Sequence, residues 1–208
     1  TVAGVVRAHI AMRDALEKLP ENQRAAFPFR LIVGARLCFV DGTPEIIAYP
    51  ATRHGWGRLT RLLTVGNRRA VKGDCLLQLK DLLEHCDDLL LIAMADENHE
   101  FALRRLMESV SGRLWLGVTM PRAGRDHRVL EKRARFAEKL ALPMLATNDA
   151  LYATPGQRQL HDVLTCIREG ATIARAGTLL AANAERHLKS PEEMARLFRD
   201  YPQAIAAT

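Results

Sequence analysis

The chain has 208 residues, 48% hydrophobic and 26% charged, with a formal net charge of +6. That balance excludes a disordered or fibrous polypeptide. It suits a soluble globular chain of one domain, or one domain plus an appendage, long enough to bury a sizeable core. No apolar run approaches the ~18 residues that span a bilayer, since the longest covers residues 89–95. The positive charge favours an anionic partner, nucleic acid first; the plainer alternative is cations solvated beside Glu and Asp on helix faces. The chain opens with Thr1 rather than Met, inside what reads as a helix, and residues 1–13 show no signal peptide. The true N-terminus is therefore expected to lie upstream. Cys38, Cys75, Cys86 and Cys166 form no CxxC pair and no metal-finger spacing, which points to reduced thiols and a cytoplasmic location.

In chain order, Val2, Val5, His9, Met12, Leu16 and Leu19 recur at helical steps, and Pro20 ends that helix. His9 on this stripe reads as a packed core histidine, and residues 21–26 read as a loop. Leu31, Ile32 and Val33 predict a buried strand closed by Gly34. Residues 37–40 and 45–49 flank Asp41-Gly42, a hairpin turn signal. A helix follows over residues 57–66, with Leu59, Leu62 and Leu63 inward. Arg68, Arg69 and Lys72 then form a basic loop between Gly66 and Gly73, suited to phosphate or simply to solubility; it is not a P-loop.

A strand–helix alternation follows: strands over residues 89–95, 113–120 and 143–146, and helices over 98–109 and 126–140. Such alternation predicts parallel strands in an α/β layer or barrel. Beyond a boundary near Ala153 the chain turns helical. Thr154-Pro155-Gly156-Gln157 and Ser190-Pro191-Glu192-Glu193 each carry a hydroxyl cap, an early proline and Gln or Glu three residues after the cap. The form of residues 171–184 is left open by the sequence.

Active groups in parallel α/β folds collect at strand ends, where Asp149 sits, either as a metal ligand or base or as a turn cap. None of the seven histidines forms an HxH or HxxxH pair. His85, His99 and His127 read as exposed, and His161 and His187 as packing or surface residues. There is no GxSxG, and the 5% aromatic content offers no stacking platform for single strands.

Several stretches together resemble the PHP (polymerase-and-histidinol-phosphatase) region of bacterial DNA polymerase III alpha-type subunits. They are TVAGVVRAH at residues 1–9, LIVGAR at 31–36, Gly55-Trp56 with Leu59, ATNDALY at 146–152, LHDVLTCIR at 160–168 and NAERHLKSPEEM at 183–194. The wording of the last two is closer to the error-prone branch. The resemblance implies a partial, distorted, TIM-like β/α barrel over residues 1–153, lacking its N-terminal part, and a helical end over 154–208 that leads to a polymerase core. Active members hold up to three metals on His, Asp and Glu and hydrolyse phosphoesters with metal-activated water.

This chain departs from that pattern. Arg36 replaces the family's glutamate, Leu151 replaces its histidine, and no histidine stands in residues 45–49. The HxH motif would precede Thr1. Asp149 is the one ligand position left, so no metal and no catalytic residue are expected here, and Arg36 is expected to balance the charge of Asp149. The expected parent is an error-prone DNA polymerase acting in damage-induced translesion synthesis, with Mg in its core, DNA as partner and other replication or repair proteins as further candidates. A structural or docking role is left for this region. The alternatives are a working metal-dependent phosphoesterase or proofreading nuclease, and a DNA-binding module acting through Arg68, Arg69 and Lys72.

Overall fold

A computed structural model describes residues 2–26 and 30–208; Thr1, which opens the first family-like motif, lies outside the described residues. The chain divides into two compact units, Thr1–Leu114 and Trp115–Thr208.

The first unit opens with α1 (Val5–Glu17) and α2 (Glu21–Ala26), then β1 (Ala35–Leu37), β2 (Ile46–Pro50), α3 (Arg53–Arg69), α4 (Leu79–His85), β3 (Leu89–Ala93) and α5 (Glu100–Ser109). The stripe on α1 is only half-buried, and His9 is exposed rather than packed. Residues 21–26 are helical rather than a loop. The three strands pair antiparallel, Arg36 opposite Ile47 and Ile47 opposite Ile92, the first pair as the hairpin signal implied.

The hairpin around Asp41-Gly42 forms, but its first strand is displaced. Residues 31–33 are not a strand, and β1 is the alternating triplet Ala35, Arg36 and Leu37, buried at its outer two positions. The expected strand residues Phe39 and Val40 turn instead to Leu77: Phe39 bridges to it and Val40 N–H donates to its carbonyl at 3.0 Å. Asp41 holds that arrangement by accepting from Thr43 N–H at 3.2 Å and from Leu79 N–H, at the start of α4, at 2.8 Å.

The α3 helix is longer than the apolar run suggests. Thr52 caps it, its hydroxyl accepting from Gly55 N–H at 3.1 Å and donating to Asp88 at 2.8 Å. The helix buries Gly55, Leu59, Leu62, Leu63 and Gly66 in one stripe. Gly55 lies so close to the turn before β3 that a Cβ there would sit 2.3 Å from the carbonyl oxygen of Asp88. The core of this unit is Leu37, Ile46, Leu59, Leu62, Leu77, Leu82, Leu89, Leu91, Leu103 and Leu106, each almost wholly removed from water.

The second unit carries β4 (Leu114–Val118), α6 (Asp126–Leu140), β5 (Met144–Ala146), α7 (Arg158–Glu169), α8 (Ile173–Ala176), α9 (Pro191–Leu197) and α10 (Pro202–Ala206). Here the parallel expectation holds: β4 and β5 pair Leu116 with Met144 and Val118 with Ala146. Leu130, Phe136 and Leu140 of α6 are buried, as are Phe198 and Ala204 near the C-terminus. Both anticipated caps form. Gln157 Oε1 accepts from Ala153 N–H at 2.9 Å and Thr154 N–H at 3.3 Å, and Ser190 Oγ accepts from Glu193 N–H at 3.2 Å. Residues 171–184 hold α8 and a short 3-10 turn.

The chain is thus α/β, with a mixed arrangement of strands and no closed barrel among the described residues. None of the described helices is long and apolar enough to cross a membrane.

The packing at Gly55 predicts the sign of two neighbouring substitutions. Gly55→Ala should lower stability by about 1–3 kcal/mol, because a backbone carbonyl blocks the added methyl. Gly57→Ala meets nothing within 4 Å and should be neutral or stabilising through helix propensity. Thermal melts of the two variants check this; a Gly55→Ala variant as stable as its parent contradicts it.

Candidate functional site

The motif over residues 146–152 leaves the C-terminal end of β5. Thr147 N–H donates to the carbonyl of Val118 at 2.9 Å, extending the strand pair by one step. The backbone then turns at Asp149, whose φ of 46° lies in the left-handed region that Asp tolerates better than most residues. Thr147 Oγ1 accepts from Asp149 N–H at 3.2 Å and supports that turn.

Arg186 holds the turn from outside. Its Nη2 lies 2.5 Å from Asp149 Oδ2, and its Nε donates to the Asp149 carbonyl at 3.0 Å. The backbones of the two motifs then zip together. Leu151 N–H donates to the Arg186 carbonyl at 2.8 Å, Leu188 N–H donates to the Tyr152 carbonyl at 3.1 Å, and Asn148 Nδ2 donates to the His187 carbonyl. Tyr152 and His187 form a parallel bridge, and the rings of Tyr152 and His161 lie 5.7 Å apart, tilted. Three stretches separate in sequence, 146–152, 160–168 and 183–194, therefore meet around Tyr152.

A second set of charges lies beside the loop after β4. Arg122 pairs with Glu185 at 3.3 Å and with Glu193. Lys189 Nζ lies 3.2 Å from Glu185 Oε2 and also donates to the Glu185 carbonyl, although its side chain is only 1% exposed. A lysine is buried this deeply only when paired. Burial alone would raise the Glu185 carboxyl, but the Lys189 ammonium and the Arg122 guanidinium outweigh it and hold the group below its usual range. Asn183 ties the set to the β4 loop by donating to the carbonyls of Pro121 at 2.8 Å and Arg122 at 3.1 Å. The roles of Arg122, Glu185, Arg186, Lys189 and Glu193 were missed in the sequence. The available signal was the opposite charge of Glu185 and Lys189 four residues apart, although residues 183–189 are not helical.

In the first unit Arg36 stands at mid-β1, its Nη1 2.6 Å from Glu45 Oε2. Cys38 lies 3.7 Å from the same carboxylate; burial first, and then the Glu45 charge, push its thiol up. Arg68 and Arg69 occupy the last turn of α3 rather than a loop. Arg68 and Lys72 are exposed. Arg69 instead grips the almost fully buried Asp81, its two terminal nitrogens 2.5 Å and 2.9 Å from the carboxylate oxygens. Asp81 also accepts from Gln78 N–H at 2.9 Å, capping α4. Burial would raise the Asp81 carboxyl, but the Arg69 hydrogen bonds and the Gln78 N–H hold it below the ordinary range. His85 is buried against the Asp81 carbonyl at 2.9 Å, which corrects its expected exposure.

These side chains do not fit a metal cluster. The Asp149 carboxylate is taken up by a guanidinium, and Leu151 beside it brings no ligand atom. Among the described residues no three His, Cys, Asp or Glu side chains are grouped to hold an ion.

Two ion pairs yield predictions. The stability that Asp81 supplies is present above its unfolded value near pH 4 and lost as pH falls through its lower folded value. Arg69→Met should therefore melt well below the parent at pH 7, and the gap should narrow as the pH drops below about 4; a gap independent of pH contradicts the pairing. Glu185→Gln strands the buried Lys189 ammonium and should cost about 3 kcal/mol, read as a melting shift of roughly 6–12 °C.

No family model matches the chain. Full-length comparison finds relatives named error-prone DNA polymerase. Those from Sinorhizobium medicae, Brucella abortus and Caulobacter vibrioides are 51%, 47% and 42% identical over 214, 213 and 212 residues. Each alignment covers all of this chain but only 18–19% of the relative, so the chain spans about a fifth of the length of the curated proteins it matches. The resemblance carried by the motifs around Asp149, His161 and His187 thus holds along the whole sequence: this chain is a homologue of one segment of the error-prone DNA polymerases.

Proposed function

We propose that this chain is a degenerate PHP-like region of an error-prone DNA polymerase and serves that polymerase structurally or as a docking platform. The observation that carries this reading is the carboxylate of Asp149, the one ligand position the sequence retains, committed at 2.5 Å to Arg186. Arg36 belongs to the same reading as a cation at a former ligand position, paired at 2.6 Å with Glu45. On this reading the strand end at Asp149 has exchanged metal coordination for ion pairing. In the parent, paired carboxylates and Mg outside this chain carry out DNA-directed DNA synthesis across lesions after damage, in the cytoplasm, with DNA as substrate. The names of the relatives, at 42–51% identity over the full chain, support the parent activity.

The test combines two assays. The product of the whole reading frame that contains this chain should extend a primed template with Mg. The 208-residue chain alone should release no product from a model phosphodiester in the presence of Mn or Zn. Phosphodiester hydrolysis by the chain alone, abolished by Asp149→Asn, would overturn the proposal in favour of a working phosphoesterase. Steeply salt-dependent DNA binding by the chain alone, lost in an Arg68→Ala/Lys72→Ala double variant, would favour a DNA-binding module instead.

A further inference from the structure

The α7 helix is amphipathic in the reverse of the usual sense. Its inward face carries Arg158, His161, Asp162, Thr165 and Cys166, all buried or half-buried. Its outward face carries Leu160, Val163, Leu164 and Ile167, spaced i, i+3, i+4 and i+7, which are 61%, 41%, 55% and 71% exposed. A surface helix ordinarily buries that stripe, as α3, α5 and α6 do here. The polar face is held in place by its own bonds: Arg158 Nη2 donates to the Ala181 carbonyl at 2.7 Å and Arg158 Nε lies 3.4 Å from Asp162. Rolling the helix over would break the Arg158–Ala181 bond and expose the buried Thr165 and Cys166, so the apolar stripe faces outward. Ile173, in the neighbouring α8, is also largely exposed.

Four such side chains expose on the order of 400 Å², comparable to the largest apolar patch of a typical monomer, which is often functional. A second copy of the chain is a poor occupant, because a free protein partner needs roughly 800 Å² on each side to bind stably. A covalently tethered occupant needs far less, since it does not lose translational freedom on docking. The relatives supply such an occupant, because about four-fifths of their length lies outside the segment this chain matches.

We propose that the Leu160–Val163–Leu164–Ile167 stripe is the seat of an intramolecular interface, covered by an apolar surface from the remaining polypeptide of the polymerase. The inference rests on the reading of the chain as a segment of that longer protein. It assigns α7 as the element through which this region braces its parent.

The experiment places cysteine at the centre of the stripe, as Ile167→Cys, and follows maleimide labelling of the peptide that contains it. The 208-residue chain alone is compared with the product of the whole reading frame. The expected result is labelling slower by at least about tenfold in the long product. As a second arm, Leu164→Glu should leave the melting of the 208-residue chain unchanged, since the side chain is solvated there, and should lower the melting temperature of the long product. Equal labelling rates in the two proteins overturn the interface. A concentration-dependent dimer of the 208-residue chain, dissociated by Leu164→Glu, also overturns it by making a second copy the occupant. A reading frame that ends near Thr208 would instead fail the segment reading itself, so the two failures are distinguishable.

Discussion

The second unit is organised by the grip of Arg186 on Asp149. One guanidinium satisfies both the carboxylate and the carbonyl of a residue held at positive φ. That contact fixes the turn after β5, and the turn sets the register in which residues 151–152 pair with 186–188. The pairing presents the Tyr152 ring to His161 and so seats the polar face of α7. The outward set of the α7 leucines is a consequence several steps removed from one ion pair.

Charge pairing at low exposure recurs in both units, and its energetics explain its persistence as sets. A buried pair gains little over a well-packed apolar pair, but losing one partner leaves an uncompensated charge and is costly. Asp81 with Arg69, and Lys189 with Glu185 and Arg122, are of this kind. In the second unit guanidinium, ammonium and carboxylate groups neutralise one another and tie the loops together.

Much of the fold was legible because local signals and burial agreed. The unbroken apolar run became β3, residues 126–140 became α6, and both proline-containing caps closed as their spacing implied. The errors arose where a distant contact decided the outcome. Residues 31–33 are more apolar than Ala35, Arg36 and Leu37, but only the latter find hydrogen-bond partners in β2. His85 was read as exposed because the Asp81 carbonyl that buries it is invisible in a local pattern. The hairpin that Asp41-Gly42 signalled does form, but its first strand is shifted to residues 35–37, because Phe39 and Val40 are drawn to Leu77. The motif containing Arg186 was recognisable as a motif, and Asp149 as a strand-end carboxylate. Their union across a separation of 37 positions is a tertiary fact that spacing alone does not encode.

The most direct test of the account is whether the Asp149 carboxylate meets a divalent cation or only arginine. Paramagnetic broadening of the Asp149 and Arg186 backbone amide signals, titrated with Mn in the 208-residue chain, reads this at the site itself. The account predicts no site-specific broadening there at concentrations that saturate ordinary Mn sites, and an Mn response of an Asp149→Asn variant no different from that of its parent. Saturable broadening centred on Asp149 and removed by that substitution would show a functioning metal site and contradict the account.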